Sequence, residues 1–301
     1  MIRFFYDMVV RAKQNHRVYW PYLYKVNKVL LNVIYPVVAR RKRNMGISSE
    51  GKLIVSLTTY PGRIHQVWKT IASLLNQTMP PKKIILWLAE EQFPEKKLPE
   101  SLLSLQKRGL EITWCEDLMS HKKYYEAFRQ YPGEVVVTAD DDILYPENFL
   151  EKLWNTHEVY PDAVVCHWSH RIGLDENGRF LPYNTWEDNG KEAPSYQTLA
   201  VGCNGILYPT AFRGLALDAE KIRQLAMRAD DLWLKCMEIM SGTKTINCND
   251  TFLIYFNVLS TRKSGLWVEN TGEGNNNDVV WKRLMEEYPE ARKRLLQEIT
   301  G

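Results

Sequence analysis

The stretch Val135-Val-Val-Thr-Ala-Asp-Asp-Asp-Ile-Leu-Tyr-Pro146 places three carboxylates directly after an apolar run. The run Val135–Val137 predicts a short buried strand, and the closing proline predicts the end of the local element. The carboxylates of residues 140–142 repel one another and need a positive partner. Carboxylate oxygens suit Mg²⁺ or Mn²⁺, which complete their coordination with water and substrate phosphates. The stretch therefore predicts a metal and phosphate site, with a solvated acidic turn as the alternative.

Apolar runs and helical spacing alternate on the N-terminal side of this stretch. We predict strands over residues 53–57, 83–88 and 110–114, and helices over residues 64–77, 101–107 and 124–131. This alternation indicates an α/β fold with a mostly parallel central sheet flanked by helices, which binds ligands at the carboxyl ends of its strands. The turn Thr58-Thr-Tyr-Pro-Gly-Arg63 and the Asp triplet both follow such ends.

The whole chain has 301 residues and an apolar fraction of 45%, which allow one large domain or two small ones. Its five cysteines are odd in number and form no CxxC pair, so we expect a reduced, cytosolic compartment rather than a disulfide framework or structural zinc. No small-residue cleavage site follows an apolar run, so no secretory signal is expected.

We expect residues 1–48 to form a basic amphipathic arm and residues 49–301 to form the α/β domain, with a helical tail from about residue 279. Residues 1–45 contain ten Lys or Arg and one acid, a net charge of +9, so the remainder carries −6. The longest uncharged stretch of the arm, Val29–Ala39, has 11 residues. A membrane span needs roughly 20 apolar residues.

Aromatic and cationic residues on a short apolar helix are typical of an interfacial helix on an anionic membrane. We therefore expect the arm to attach the protein to the inner face of the cell membrane. Packing against the body or against a second subunit is the alternative. Nucleic acid is not an expected partner, because the body is acidic and its sequence contains no visible basic groove.

Two further segments carry chemistry. Asp230 and Asp231 begin an apolar helix, where acids also serve as caps or interact with the helix dipole. Gly202 and Gly205 flank Asn204 before an apolar strand, a pattern that permits close approach of a ligand or forms a simple bulge.

The order of these elements resembles family-2-type glycosyltransferases of the GT-A fold. The strand, the Thr58–Arg63 turn, the helix ending Ser73-Leu-Leu-Asn-Gln-Thr78 and the Asp triplet with its proline carry the resemblance, which covers roughly residues 52–260. The resemblance implies a nucleotide-diphospho-sugar transferase with a DxD metal motif.

The family's motifs imply roles for individual residues. Asp140 is expected to face the ribose, Asp142 to hold Mn²⁺ or Mg²⁺ with Asp140 as a second ligand, and Asp141 to do either or to support the pair. Asp231, with Asp230 second, is expected to be the base that deprotonates the acceptor hydroxyl. The remaining expected donor contacts are Thr58, Tyr60 and Arg63 for the nucleotide, Lys122 and Lys123 for the phosphates, and Gly202, Asn204 and Gly205 for the sugar. Ordinary solvated lysine is the alternative for the two lysines.

The C-terminal part departs from the family pattern, because no His follows His170 to serve as a late metal ligand. Asp278 or a neighbouring Asn in the Gly/Asn-rich stretch 270–278 is a candidate replacement, and we expect that stretch to be a mobile loop over the donor. Trp186 is expected either to stack on an acceptor sugar or to be an exposed loop residue. Residues 279–299 are expected to form one amphipathic helix, packed on the sheet.

These features together predict sugar transfer from a nucleotide-sugar to a glycan or lipid-linked hydroxyl, with inversion, in bacterial cell-surface polysaccharide synthesis. An oligomer is compatible with the sequence. The alternatives are a metal-dependent nucleotidyl or phosphoryl transferase, and a membrane-associated scaffold without catalytic activity.

Overall fold

A computed structural model describes residues 1–41, 46–249, 255–259 and 276–300. Its strands are β1 Leu53–Thr58, β2 Lys83–Ala89, β3 Leu110–Cys115, β4 Val135–Ala139, β5 Ile143–Leu144, β6 Val164–Cys166, β7 Ser169–Arg171, β8 Glu187–Asp188, β9 Thr198–Ala200, β10 Ile206–Tyr208, β11 Thr245–Asn247 and β12 Phe256–Asn257. Its helices are α1 Ile2–Gln14, α2 Trp20–Arg41, α3 Val67–Leu74, α4 Glu100–Leu103, α5 Lys122–Gln130, α6 Phe149–Val159, α7 Ala219–Lys221, α8 Asp230–Ser241, α9 Asn276–Glu287 and α10 Pro289–Thr300.

A seven-stranded sheet in the order β11-β6-β10-β4-β1-β2-β3 is the centre of the fold. Only β10 runs antiparallel to its neighbours within this described sheet. Strands β1 and β4 are parallel neighbours, with Leu53 opposite Val135 and Leu57 opposite Ala139. The turn after β1 and the Asp triplet after β4 therefore emerge side by side at one edge.

Both faces of the sheet are covered, which explains why its central strands are nearly continuous apolar runs. Side chains of Leu53, Val55 and Leu57 pack with helices α1, α2, α3 and α6. Ile54 and Val136 point to the other face, where α5, α8, α9 and α10 pack. Strand alternation thus separates the core into two apolar clusters. The predicted α/β architecture is confirmed.

The basic arm consists of the two helices α1 and α2, which lie on the first of these clusters. Ile2, Tyr6 and Val9 of α1 and Leu31 and Tyr35 of α2 are buried there. Within the described residues, no helix combines the length and apolar character needed to cross a membrane.

Two local predictions were wrong. Helix α3 spans Val67–Leu74 rather than residues 64–77, because the preceding residues form turns that direct Arg63 toward the Asp triplet. The C-terminal segment is two helices, since Pro289 has no N–H to continue the first helix and begins the second. This segment packs on α8 within the apolar cluster that covers one face of the sheet, and Arg294 donates to the carbonyl oxygen of Ile239 at 2.7 Å.

Two further expectations concern Trp186 and the stretch 270–278. Trp186 is neither exposed nor available for stacking on a sugar: it is buried, packs on Trp281 and donates its indole N–H to the Leu181 carbonyl at 2.9 Å. Most of the stretch 270–278, the expected donor loop, lies outside the described residues. Asp278 belongs to α9 and accepts a hydrogen bond from the Tyr183 N–H at 2.7 Å.

Candidate active site

The turn after β1 holds two of the three triplet carboxylates. Arg63 donates to Asp141 Oδ1 at 2.6 Å and lies 3.3 Å from Asp142 Oδ2, and the Thr59 hydroxyl donates to Asp141. Burial raises the pKa of Asp141, although the adjacent Arg63 lowers it. Asp141 is thus buried behind Arg63, which favours the expected supporting role beside Asp140 and Asp142.

Lys123 connects the triplet to the second acidic pair. Its ammonium lies 2.9 Å from Asp140 Oδ1 and 3.0 Å from Asp230 Oδ2, and only 7% of the side chain is exposed. Burial opposes the charge of Lys123, yet Asp140, Asp230 and Asp231 together raise its pKa well above the ordinary value. The two acidic segments, which lie far apart in sequence, therefore share one buried cation.

The two acids of the pair have different electrostatic environments. Burial alone would raise the pKa of Asp230, but Lys123 and His121 hold it below the ordinary value. Burial and the neighbouring Asp230 raise the pKa of Asp231 to about 7. An ionised Asp230 thus lies beside an Asp231 that exchanges its proton near neutrality, which suits a general base.

The side chain of Asp231 faces the glycine turn rather than capping its own helix. The N-cap of α8 is Ala229, without a side-chain capping bond. Asp231 Oδ2 accepts the Gly202 N–H at 3.0 Å, and Oδ1 has no hydrogen-bond partner among the residues that the structure describes. This geometry favours the catalytic interpretation over helix capping, and it leaves one buried carboxylate oxygen without a hydrogen-bond partner in the described part of the chain.

The turn Gly202–Gly205 needs both glycines. A Cβ on Gly202 would lie 2.8 Å from Asp231 Oδ1 and 3.2 Å from Lys123 Nζ. Gly205 has a φ of +88°, and a Cβ there would lie 2.5 Å from the Phe149 ring. Asn204 is fully buried, and its Oδ1 accepts the Tyr255 N–H at 3.1 Å. The turn thus positions Asp231 by close backbone approach.

We expect Gly202→Ala to reduce turnover about 100-fold, which is the effect expected when the candidate base Asp231 is displaced by about 1 Å. The added methyl group must push the Asp231 carboxylate or the Lys123 ammonium aside, while β9 stays paired with β7 and β10 stays paired with β4 and β6. The matched control is Gly214→Ala, because a Cβ at Gly214 meets nothing within 4 Å. Steady-state kinetics and circular dichroism of both variants test this expectation, and wild-type turnover in Gly202→Ala would contradict it.

Some predicted site residues make other contacts. The Thr58 hydroxyl donates to the Trp87 carbonyl at 2.8 Å, across β1 and β2. The Arg63 guanidinium lies over the ring of Tyr60, 5.6 Å from the ring centroid. Lys122 is buried in an ion pair with Asp117, so it is not the solvated lysine that the sequence left open. The described contacts do not bring Thr58 or Lys122 to the acids.

Sequence reasoning overlooked Thr59 and Tyr145, which organise the site, and Asp117, which is the partner of Lys122. Thr59, rather than Thr58, faces Asp141, because side chains alternate along the strand end. The Tyr145 hydroxyl accepts the Asp140 N–H at 2.8 Å and donates to the Cys203 carbonyl at 3.2 Å, which links the triplet to the glycine turn. Asp117 accepts from Lys122 and Gln92. Among these three residues, only Tyr145 could have been noticed in the sequence, because it lies three positions after the triplet.

The carboxylate oxygens of the Asp triplet are suitable ligands for Mn²⁺ or Mg²⁺. Within the described residues, no three His, Cys, Asp or Glu side chains form a closed metal cage. Asp140 and Asp142 nevertheless supply hard oxygens, and 32% of the Asp140 side chain is exposed. These ions are commonly held by one or two carboxylates, with water and substrate phosphates completing the shell. The two residues that would hold the ion are Asp142 and Asp140.

Comparisons with known proteins were made for sequence and for structure. No curated protein sequence matches the chain. Among solved structures, the 1–349 fragment of S. aureus TarS is 16% identical with a TM-score of 0.43; the match covers 66% of this chain and 58% of that one. The mannosyltransferase PcManGT from Pyrobaculum calidifontis, solved with GDP-Man and Mn²⁺, is 13% identical with a TM-score of 0.48; that match covers 92% of this chain and 78% of the other.

The family described as "Glycosyl transferase family 2" matches residues 57–215, which is more than half of the chain. The matched segment contains the turn after β1, the Asp triplet and the glycine turn, and it ends before Asp230. The resemblance predicted from the sequence is confirmed: this chain belongs to glycosyl transferase family 2.

Proposed function

We propose that this protein transfers a sugar from a nucleotide-sugar donor to a hydroxyl group of a glycan or glycolipid acceptor. The observation that carries the proposal is the Lys123 bridge, which brings the triplet and the acidic pair into one site. A donor diphosphate at Asp140 and Asp142 would then lie close to the base Asp231. Family membership supports this reaction over the non-catalytic scaffold.

In the proposed reaction, each residue of the site has a separate role. Asp142 and Asp140 would hold a divalent cation, which would neutralise charge on the leaving diphosphate. Asp231 accepts the proton of the acceptor hydroxyl, and the charge of Lys123 keeps Asp230 ionised. One base acting on an incoming hydroxyl suits a single displacement, so we propose inversion at the sugar carbon.

A thermal-shift panel of UDP, GDP, CDP and TDP, each with and without Mn²⁺, tests the donor site. A ligand that binds only the native state stabilises it by mass action and so raises the melting temperature. At a ligand concentration of 100 times the Kd, the free energy of unfolding increases by about 2.7 kcal/mol. We expect one nucleotide to stabilise the protein in a Mn²⁺-dependent manner. A melting temperature unchanged by every nucleotide would refute the proposed donor site.

We further propose that the arm attaches the enzyme to the inner face of the cell membrane, where its acceptor is lipid-linked and destined for surface polysaccharide. Of fifteen large apolar side chains exposed in the described residues, ten lie between Phe4 and Val37. The exposed members of α2 form one helical stripe: Tyr22, Val26, Val29, Leu30, Val33, Ile34 and Val37.

The charges around this stripe suit an anionic bilayer. Lys25 and Arg40 are exposed near the two ends of the stripe, and residues 8–49 contain no acid. Each basic residue close to an anionic surface adds about 1 kcal/mol of attraction. The opposite face of α2 packs on the body, so the stripe is free to enter a lipid interface.

We expect Val33→Asp to weaken binding to phosphatidylglycerol-containing vesicles at least about tenfold, because burying a Val contributes roughly 1.5 kcal/mol or more. Val159→Asp is the matched control, since Val33 is 68% exposed and Val159, outside the arm, is 67% exposed. Vesicle flotation measures the binding. Equal binding by the two variants would contradict the membrane proposal, and a dimer lost in Val33→Asp would assign the stripe to self-association.

A further inference from the structure

Strand β12 supports the backbone of the candidate metal ligand. It pairs antiparallel with β5, with Asn257 opposite Ile143 and Phe256 opposite Leu144. The next residue, Val258, donates its N–H to the Asp142 carbonyl at 2.7 Å. The position of Asp142 is therefore fixed from one side by the segment 255–259.

The other edge of this segment is held by the arm. Asn32 of α2 donates its amide N–H to the Asn257 carbonyl at 3.0 Å and accepts the Leu259 N–H at 2.8 Å. A primary amide offers both a donor and an acceptor, so it pairs with an edge strand much as a neighbouring strand does. Asn32 thus occupies the position of a third strand beside β5 and β12.

Further contacts fix the same segment against the arm and the site. The Tyr24 hydroxyl donates to the Tyr255 carbonyl at 3.2 Å, and the Tyr24 ring stacks on Phe256 at 5.2 Å between centroids. On the site side, the Tyr255 N–H donates to Asn204 in the glycine turn. Segment 255–259 therefore contacts both the triplet and the turn that holds Asp231.

We propose that Asn32 is a positioning residue for the metal site, acting through segment 255–259 on Asp142. The inference rests on the proposed function, because it concerns the same cation. Both Asn32 and the segment lie outside the residues that match the family, 57–215. The arm is then part of the donor site as well as a surface feature.

The test compares Asn32→Ala with Asn27→Ala. Asn27 is a buried amide on the same helix that donates to the Phe5 carbonyl at 3.1 Å, so it ties α2 to α1 instead of to segment 255–259. Electron paramagnetic resonance of free Mn²⁺ measures metal affinity in the presence of the nucleoside diphosphate that stabilises the wild type. Melting temperatures report the general loss of stability in each variant.

We expect Asn32→Ala to weaken Mn²⁺ affinity about tenfold, the low end of what loss of an outer partner costs a metal site, while Asn27→Ala keeps wild-type affinity. Wild-type affinity in Asn32→Ala, or equal losses in both variants, would overturn the inference. If Asn32→Ala does not fold, Asn32→Asp retains the acceptor for Leu259 and should give an intermediate loss. Absence of Mn²⁺-dependent nucleotide binding in the wild type would instead refute the proposed function.

Discussion

The variant Asp142→Asn should lose Mn²⁺-dependent nucleotide binding and nearly all turnover. Asp142 follows β4 at the sheet edge, and its carboxylate lies beside Arg63 at 3.3 Å. An amide in its place removes a full negative charge and one hard anionic ligand. Loss of an outer partner costs a metal site roughly 10- to 100-fold in affinity, so loss of a direct ligand should cost at least about 100-fold.

The control for this expectation is Asp162→Asn, which removes an equal charge from an exposed position outside the site. Isothermal titration calorimetry measures the Mn²⁺ affinity of both variants in the presence of the stabilising nucleotide. We expect Asp162→Asn to match the wild type. Unchanged Mn²⁺ affinity in Asp142→Asn would show that the triplet does not hold the cation, and the acidic-turn interpretation would replace it.

The parallel sheet and the Asp triplet could be predicted because their signals are local. The run Val135–Val137 marks a buried strand, and three adjacent carboxylates cannot be explained by a dry core. Alternating strands and helices then place the Thr58–Arg63 turn near the triplet, since carboxyl ends of parallel strands share one edge. Each of these inferences requires only neighbouring residues and the geometry of a parallel sheet.

The Lys123 bridge could not be predicted, because it joins residues that no periodicity relates. Asp140 and Asp230 are 90 positions apart, and only tertiary packing brings both within 3.0 Å of one ammonium. Trp186 shows the same limit: polar neighbours in sequence suggest a surface loop, yet packing against Trp281 buries it. Composition alone does not reveal that Thr59, and not Thr58, faces the acids.

The variant Asp231→Asn should reduce turnover about 1,000-fold, within the range that general base catalysis contributes, and leave donor affinity unchanged. An amide keeps the shape of the side chain but cannot accept the acceptor proton. Stopped assays for kcat and nucleotide titrations for affinity separate the two effects. A turnover within threefold of wild type would reject Asp231 as the base.

The free energy of unfolding distinguishes a catalytic Asp231 from an acid that only stabilises the helix. The pKa of Asp231 is raised in the folded protein to about 7 from its ordinary value of 3.8, so folding favours the protonated form. Ionisation of Asp231 therefore lowers the stability of the wild type as the pH rises from about 4 to 7. Asp231→Asn removes this loss and should be at least as stable as the wild type at pH 8. A helix cap would give the opposite sign, a loss of about 0.5–2 kcal/mol.

The pH dependence of kcat/KM in the wild type should also reflect the raised pKa of Asp231. Because the base acts when deprotonated, kcat/KM should rise with pH through about 7, the pKa of Asp231 in the free enzyme. The charge of Asp230 is the second cause of that raised pKa, after burial. Asp230→Asn removes this charge, so the acid limb of its profile should shift to lower pH, while Asp162→Asn leaves the limb in place. A limb that does not move in Asp230→Asn would mean that another group titrates there.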